Sequence, residues 1–189
     1  MPQKIIYLIL AIVFLLIIIG LLYLFFKPQV PPKSFQSTQK EKIEKILEEE
    51  RVILKLNPQK GSYLKGEPFS VEIILESEDR GISGVDVLLS YNLEILELIN
   101  QEADREGSIF SVWPMNQLEN GILKFSALTQ PGRLFSGQGK VATLHFRGKK
   151  EGSAQVSFLF KKGSTTDTNV AGNGQDILEE VINGIYQIK

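Results

Sequence analysis

From Arg51 onward the apolar residues of this chain recur with a period of two, and that alternation constrains the fold more than any other feature. In "PFSVEIILES" Phe69, Val71, Ile73 and Leu75 fall on one face, with Ser70, Glu72 and Glu76 on the other. In "GISGVDVLLSYNLEILELI" Val85, Val87, Leu89 and Tyr91 alternate with Asp86, Leu88 and Ser90. Successive side chains of a strand point to opposite faces, so each stretch is a strand with one apolar face. "RVILKLN", "EILELI", "IFSVW", "GILKFSAL", "GKVATLHFRG", "AQVSFLF" and "VINGIYQI" complete a set of about nine short strands, separated by Gly-, Asn- and Ser-rich turns. No amphipathic helix pattern interrupts them. Short strands at this spacing predict an all-β sandwich or barrel. The 139 residues from Arg51 to Lys189 suffice for one core.

The amino-terminal part is of another kind. "IIYLILAIVFLLIIIGLLYLFF", Ile5 to Phe26, is 22 residues without a charge. As a helix it would span roughly 33 Å, against a hydrocarbon core of about 30 Å. Lys4 and Lys27 bracket it, and Tyr23 suits the interface. A cleaved signal peptide would have a shorter apolar region ending in small residues, whereas this run ends in Phe25-Phe26-Lys27-Pro28. The expectation is an uncleaved anchor over residues 1–27. Lys27, Lys33, Lys40, Lys42 and Lys45 follow the run while only Lys4 and the terminal amine precede it, so the basic residues favour a cytoplasmic carboxyl side.

Residues 28–50 form the predicted stalk. "KPQVPPKSFQS" holds three prolines and reads as an extended spacer. Thr38-Gln39-Lys40-Glu41 has capping-box spacing for a short helix to about Glu50. Ile43, Ile46 and Leu47 would share one face of it. Three apolar residues are too short a seam for a coiled coil, which favours a solvated stalk over a dimerising helix.

The inventory for chemistry is thin. With 21 basic and 22 acidic side chains the chain lacks the cationic excess of a nucleic-acid binder. There is no Cys, which excludes disulfides and thiolate chemistry. The single His, His145, alternates with Leu144 and Phe146 and is predicted to face solvent on a strand. No P-loop, G-x-S-x-G, H-E-x-x-H or G-x-G-x-x-G pattern occurs. Glu94 and Glu97 are a formal glycosidase pair without a cleft to share. "AGNGQD", Ala171 to Asp176, reads as a turn, not a phosphate loop. Asp167, Asn169, Asn173 and Asp176 offer oxygen ligands for Ca²⁺, but their spacing departs from the calcium-loop pattern, so no metal or cofactor is expected. Trp113 is either a packing residue or, with Tyr63 the other exposed aromatic, a stacking platform for a sugar ring.

The segments "GEPFSVEIILES", "GISGVDVLLSYNLEILELI", "NGILKFSALT", "GQGKVATLHFRGKKEGSAQVSF" and "VINGIYQI", in that order, resemble a cohesin domain over about Val52 to Ile188. The resemblance implies a nine-stranded jelly-roll sandwich, related to cellulose-binding modules, that binds dockerin modules of other proteins and carries no catalysis. It also implies a partner face across Gly81–Tyr91 and Gly121–Thr129. The outward positions there are Gly84, Asp86, Leu88 and Ser90, with Ile122, Lys124 and Ser126. Two departures stand out: Tyr91-Asn92-Leu93 replaces the family's Tyr-Asp-Pro, and Gly84 and Ser126 are smaller than usual contact residues.

The resulting expectation is a non-enzymatic cohesin-like module at 51–189, tethered to a lipid bilayer through Ile5–Phe26. The resemblance favours display outside the cell, against the lysine count. It would hold dockerin-bearing proteins, with polysaccharide-degrading enzymes among them. A carbohydrate-binding module of the same fold, with a polysaccharide ligand at Trp113, and a structural envelope subunit are the rival readings. The pilin form of the latter lacks the acidic residue expected in Ile5–Phe26.

Overall fold

The computed structural model describes residues 51–189 and six residues near the amino terminus. Those six, Leu15, Leu16, Ile18, Ile19, Leu21 and Leu22, are helical and exposed. The rest of the expected anchor Ile5–Phe26, the spacer and the expected helix to Glu50 lie outside the described residues. Among the described residues no helix is long and apolar enough to cross a membrane.

Thirteen strands follow in chain order. They are β1 (Ile53–Asn57), β2 (Lys60–Tyr63), β3 (Pro68–Glu76), β4 (Gly84–Tyr91), β5 (Leu96–Leu98), β6 (Val112–Glu119), β7 (Ile122–Leu128), β8 (Gln138–Gly148), β9 (Gly152–Phe158), β10 (Asn169–Gly172), β11 (Gln175–Asp176), β12 (Glu180–Ile182) and β13 (Gly184–Ile188). A five-stranded sheet runs β12-β1-β3-β8-β5. In the eight-stranded sheet β6 pairs with β7 and β7 with β4. The other edge of β4 is shared by β10 and β9, and β9 continues to β13 and β2.

Period-two alternation builds the core, and it is interrupted where β3 and β8 shift register at Ile73/Ile74, so that Ile73–Leu75 and Val141–Leu144 are buried in succession. Leu54 and Leu56 of β1, Val71 and Ile73 of β3, and Leu144 and Phe146 of β8 are fully buried. They meet Val87 and Leu89 of β4, Leu123 and Phe125 of β7, and Ala154 and Val156 of β9, which are buried as completely. A cluster of rings closes one end: Tyr63 stacks on Phe69 at 3.9 Å, and Tyr91 meets Phe146 edge-on at 5.2 Å.

Nine strands become thirteen for local reasons. The closing run is divided at Asn183, whose side-chain oxygen accepts from the Phe158 N–H. Before it, β12 pairs in parallel with β1 in one sheet; after it, β13 pairs in parallel with β2 in the other. The opening run "RVILKLN" holds β1 alone, and β2 is an added strand just beyond it, at Lys60–Tyr63. The Tyr186 hydroxyl donates to the Pro58 carbonyl at 2.7 Å across the two crossings. The run "IFSVW" is displaced: the strand starts at Val112 and continues to Glu119. Pro114 lies inside it, which an edge strand tolerates because the missing N–H has no ladder to serve. The register shifts between Val112 and Met115. The expected turn at "AGNGQD" is a two-residue hairpin between β10 and β11, with Asn173 and Gly174 both at positive φ (51° and 74°). That backbone suits the twist of paired strands and favours Asn and Gly.

Candidate functional site: the outer face of the eight-stranded sheet

Strand registers arrange the outward residues of β6, β7, β4 and the β9/β10 line into rows. One row is Met115, Ser126, Asp86 and Asn169. The next is Gln117, Lys124 and Leu88, and the third is Glu119, Ile122, Ser90 and Ser157. Six of the seven residues expected at a partner face therefore stand together: Asp86, Leu88, Ser90, Ile122, Lys124 and Ser126. Each is half-buried, shielded by its neighbours.

Gly84 is the exception. It is buried, because the Leu128 side chain lies over it. A Cβ at Gly84 would sit 2.4 Å from Leu128 Cδ2 and 2.9 Å from the Ala127 carbonyl oxygen. Gly84 is thus a packing position, and Leu128, 41% exposed, is the surface residue there.

The polar members of the face are tied to one another. The Ser126 hydroxyl donates to the Asp86 carboxylate. Lys124 Nζ donates to Glu119 Oε2 at 3.2 Å. The Ser90 hydroxyl reaches the Ser157 carbonyl at 3.4 Å. Leu88 stands where β9 has ended and β10 has not begun. The Leu159 N–H donates to its carbonyl at 2.8 Å. The Thr168 hydroxyl donates to the same carbonyl at 2.9 Å and accepts from the Leu88 N–H at 3.1 Å. A buried threonine therefore completes the ladder across the break and holds the Leu88 backbone rigidly.

The outer face of the five-stranded sheet is of opposite character. Arg147 pairs with Glu97 at 3.7 Å, Lys140 with Glu72 at 3.9 Å, and Lys55 with Glu76. His145 faces outward on this sheet, as the alternation predicts, but it is not free in solvent. Its Nδ1 lies 2.9 Å from Ser70 Oγ and its Nε2 lies 3.1 Å from Asp104 Oδ2. The Glu106 backbone N–H, and then His145, hold the Asp104 carboxyl below the usual carboxylate range. The Ser-His-Asp row has hydrolase-like connectivity, yet Ser70 lies exposed on a flat strand. The cavity beside Asp104 is lined by neither Ser70 nor His145. What the row does is fasten the 100–108 loop to the sheet.

The remaining candidates are occupied by local structure. Glu97 is engaged by Arg147, and the side chain of Asn92 caps the N–H of Glu94 at 2.9 Å. Asp176 Oδ1 accepts from Val170 and Leu178, each at 3.1 Å. Asp167 caps the Lys161 N–H. Asp167, Asn173 and Asp176 thus shape turns, while Asn169, on β10, donates its Nδ2 to the Asp167 carbonyl at 3.1 Å. Among the described residues no group of three His, Cys, Asp or Glu side chains is placed to hold a metal ion. Trp113 stacks on Phe125 at 5.1 Å and donates its indole N–H to the Phe110 carbonyl at 3.2 Å. Tyr63 packs into the ring cluster.

Met115 and Gln117 were not among the expected face residues. The shift of β6 past Pro114 brings them there, and the run Met115-Asn116-Gln117-Leu118-Glu119 carries no apolar alternation that would announce it.

No family model matches the chain, and no curated protein matches it. Solved structures do. The third ScaB cohesin of R. flavefaciens, in complex with a group 1 dockerin, aligns over 74% of this chain and 96% of its own, at 21% identity and a TM-score of 0.57. The cohesin module of a Clostridium perfringens family 33 glycoside hydrolase aligns over 74% and 96%, at 15% identity and 0.55. A non-cellulosomal cohesin from the hyperthermophilic archaeon Archaeoglobus fulgidus aligns over 74% and 90%, at 18% identity and 0.53.

Proposed function

With the cohesin fold as premise, we propose that this chain is a non-enzymatic docking module that binds a dockerin-type protein module on the outer face of β7 and β4. One observation carries the reading: on that face Leu88 and Ile122 stand among hydroxyl and amide side chains, with charges few. Charged residues are depleted from the cores of protein interfaces, because their desolvation opposes binding. The opposite face, paired charge by charge, is poorly suited to the same use. Asp86, capped by Ser126, would accept a hydrogen bond from the partner next to the apolar contact at Leu88. The Thr168 clamp keeps that contact in place without an ordering cost on binding.

The cohesin neighbour that occurs within a glycoside hydrolase makes carbohydrate-active enzymes the first cargo to test. Ile5–Phe26 would tether the module to a bilayer, with the sandwich displayed outside the cell on the Pro-containing spacer. The test is titration of the full chain with dockerin modules from the same genome, following affinity, alongside protease accessibility of the sandwich on intact cells. Saturable one-to-one binding and external cleavage are expected. A panel of which none binds would overturn the docking reading, and protection from external protease would overturn the orientation.

A further inference from the structure

The outer face of β6, β7 and β4 does not end at the row of Met115, Ser126, Asp86 and Asn169. The registers place one more row beyond it: Val112, Leu128, Gly84 and Ala171. Every member lacks a polar side chain, and Val112 and Leu128 are each 41% exposed. Past this row the loop from β7 to β8 carries Leu134, 61% exposed, over Gly81. Leu128 and Leu134 both line a hollow of about 510 Å³, with Ser83, Thr129 and Pro131 also in its wall. The loop that shapes it is pinned at both ends. The Arg133 N–H donates to the Gln130 carbonyl at 3.0 Å, and Gly132 between them has φ 79°. Pro131 followed by such a glycine forms the centre of a type II turn. The Thr129 hydroxyl donates to the Arg133 carbonyl at 2.7 Å. After Leu134, Phe135 and Ile82 exchange backbone hydrogen bonds of 2.7 and 2.9 Å. A fixed backbone thus presents the two leucines to solvent. Arg133 is the one charged residue in the lining of this hollow and of the neighbouring hollow beside Ile109 and Phe135. It is exposed, and its guanidinium has no hydrogen-bond or ion-pair partner among the described residues.

We infer that this ledge is a second anchor for the protein module that docks on β7 and β4, and that it selects a module presenting an apolar side chain beside a carboxylate. The inference rests on the docking reading and adds to it what the partner must carry. Two observations choose that occupant. The ledge continues the docking face strand by strand, so a partner wide enough to cover Leu88 and Asp86 reaches Leu128 without leaving the sheet. Its only charge is an uncommitted guanidinium, whose planar fork of donors matches a carboxylate. Exposed aliphatic side chains gathered on one rigid edge are the surface that gains from being covered. A second copy of this chain suits the ledge poorly: ledge against ledge would oppose one Arg133 with another and supply no acid. Leu128 and Leu134 would enclose the partner's apolar group, and Arg133 would fix its orientation by pairing with the carboxylate at the rim.

The test titrates the full chain with dockerin modules from the same genome and then works with the one that binds tightest. Leu134→Ser and Arg133→Glu should each weaken binding by about tenfold, the scale of an anchor or a paired charge at an interface. Arg133→Lys should keep most of the affinity. Raising the ionic strength should weaken the unaltered chain more than Arg133→Glu. One Asp or Glu of the partner, changed to Lys, should restore the affinity of Arg133→Glu. Both positions are exposed, and circular dichroism verifies that the variants fold. Binding that is abolished by Leu88→Arg yet altered less than about twofold by both Leu134→Ser and Arg133→Glu would overturn the second anchor and leave the docking face standing. Equal affinity of Arg133→Glu and the unaltered chain at every ionic strength would overturn the selection of an acidic partner. A panel in which no module binds would overturn this inference together with the docking reading.

Discussion

The two sheets present the same pattern inward and different chemistry outward. Inside, β3 and β8 face β4 and β7 with equally buried aliphatic and aromatic side chains. Outside, the five-stranded sheet pairs its charges across strands, Arg147 with Glu97, Lys140 with Glu72 and Lys55 with Glu76, and His145 pairs with Asp104 of the 100–108 loop. Across β6, β7 and β4 the eight-stranded sheet carries Asp86 with Ser126, one pair at Lys124 and Glu119, and otherwise amide, hydroxyl and apolar groups, with the charge of Lys60 away on the β2 edge. A face whose charges are satisfied within it and surrounded by water has little to gain from a partner. A face with few charges and half-buried aliphatic groups loses little hydration when covered. Fold and proposed function thus separate by the side of the strand: inward residues set stability, and on the docking reading outward residues set what binds.

The largest effect should come from the inward side and be the same on both sheets. Phe125→Ala and Phe146→Ala remove fully buried rings, and each should cost about 3–5 kcal/mol in denaturant titration. A marked difference between them would mean that the sheets do not share one core. Next comes the docking face. Leu88→Arg should weaken dockerin-module binding by at least about thirtyfold, the scale of a hot-spot loss, while Arg147→Glu on the other sheet should change it less than about twofold. Equal losses would erase the distinction between the faces.

A smaller effect is expected at Gly84, which has the parity of a surface residue but is buried beneath Leu128. Gly84→Ala would press on Leu128 and the Ala127 carbonyl and should destabilise by about 1–3 kcal/mol, although a face residue would tolerate the change. The smallest effects belong to the paired charges. Glu97→Gln should cost no more than about 1 kcal/mol, as thermal melts can show. Asp104 has a depressed folded-state pKa, so its contribution is complete above the unfolded carboxylate value of about 3.9 and is lost as pH falls through the lower folded value. Hydrogen exchange at Ala103 and Asp104 should accordingly rise only in acid below that range. Acceleration near neutrality would place the fastening of the loop elsewhere.

Most of the sandwich was legible in the sequence because burial on one face of a strand imposes a period of two. Val85, Val87, Leu89 and Tyr91, and their counterparts Leu123, Phe125 and Ala127, lie where that period puts them. Asp86, Leu88 and Ser90 follow as the complementary set. What alternation does not encode is a residue's neighbour across the sheet. Gly84 has the parity of a surface residue and is buried by Leu128. The restart of β6 after Pro114, which adds Met115 and Gln117 to the face, depends on a bulge. The division of the last strand depends on Asn183 accepting a bond from Phe158. His145 has the solvent-facing parity expected of it, but its partners come from residues 70 and 104, distant in sequence. These are tertiary facts, written in pairs of residues and not in runs.

The central claim is that the outer face of β7 and β4 is where a dockerin-type module docks. Its most direct test is hydrogen exchange of the full chain with and without the tightest-binding dockerin module from the same genome. Protection should concentrate on β6, β7, β4 and the 159–168 segment, with β3 and β8 unchanged apart from effects of global stabilisation. Protection centred on β3, β8 and β5, or the lack of any dockerin module that binds, would contradict it.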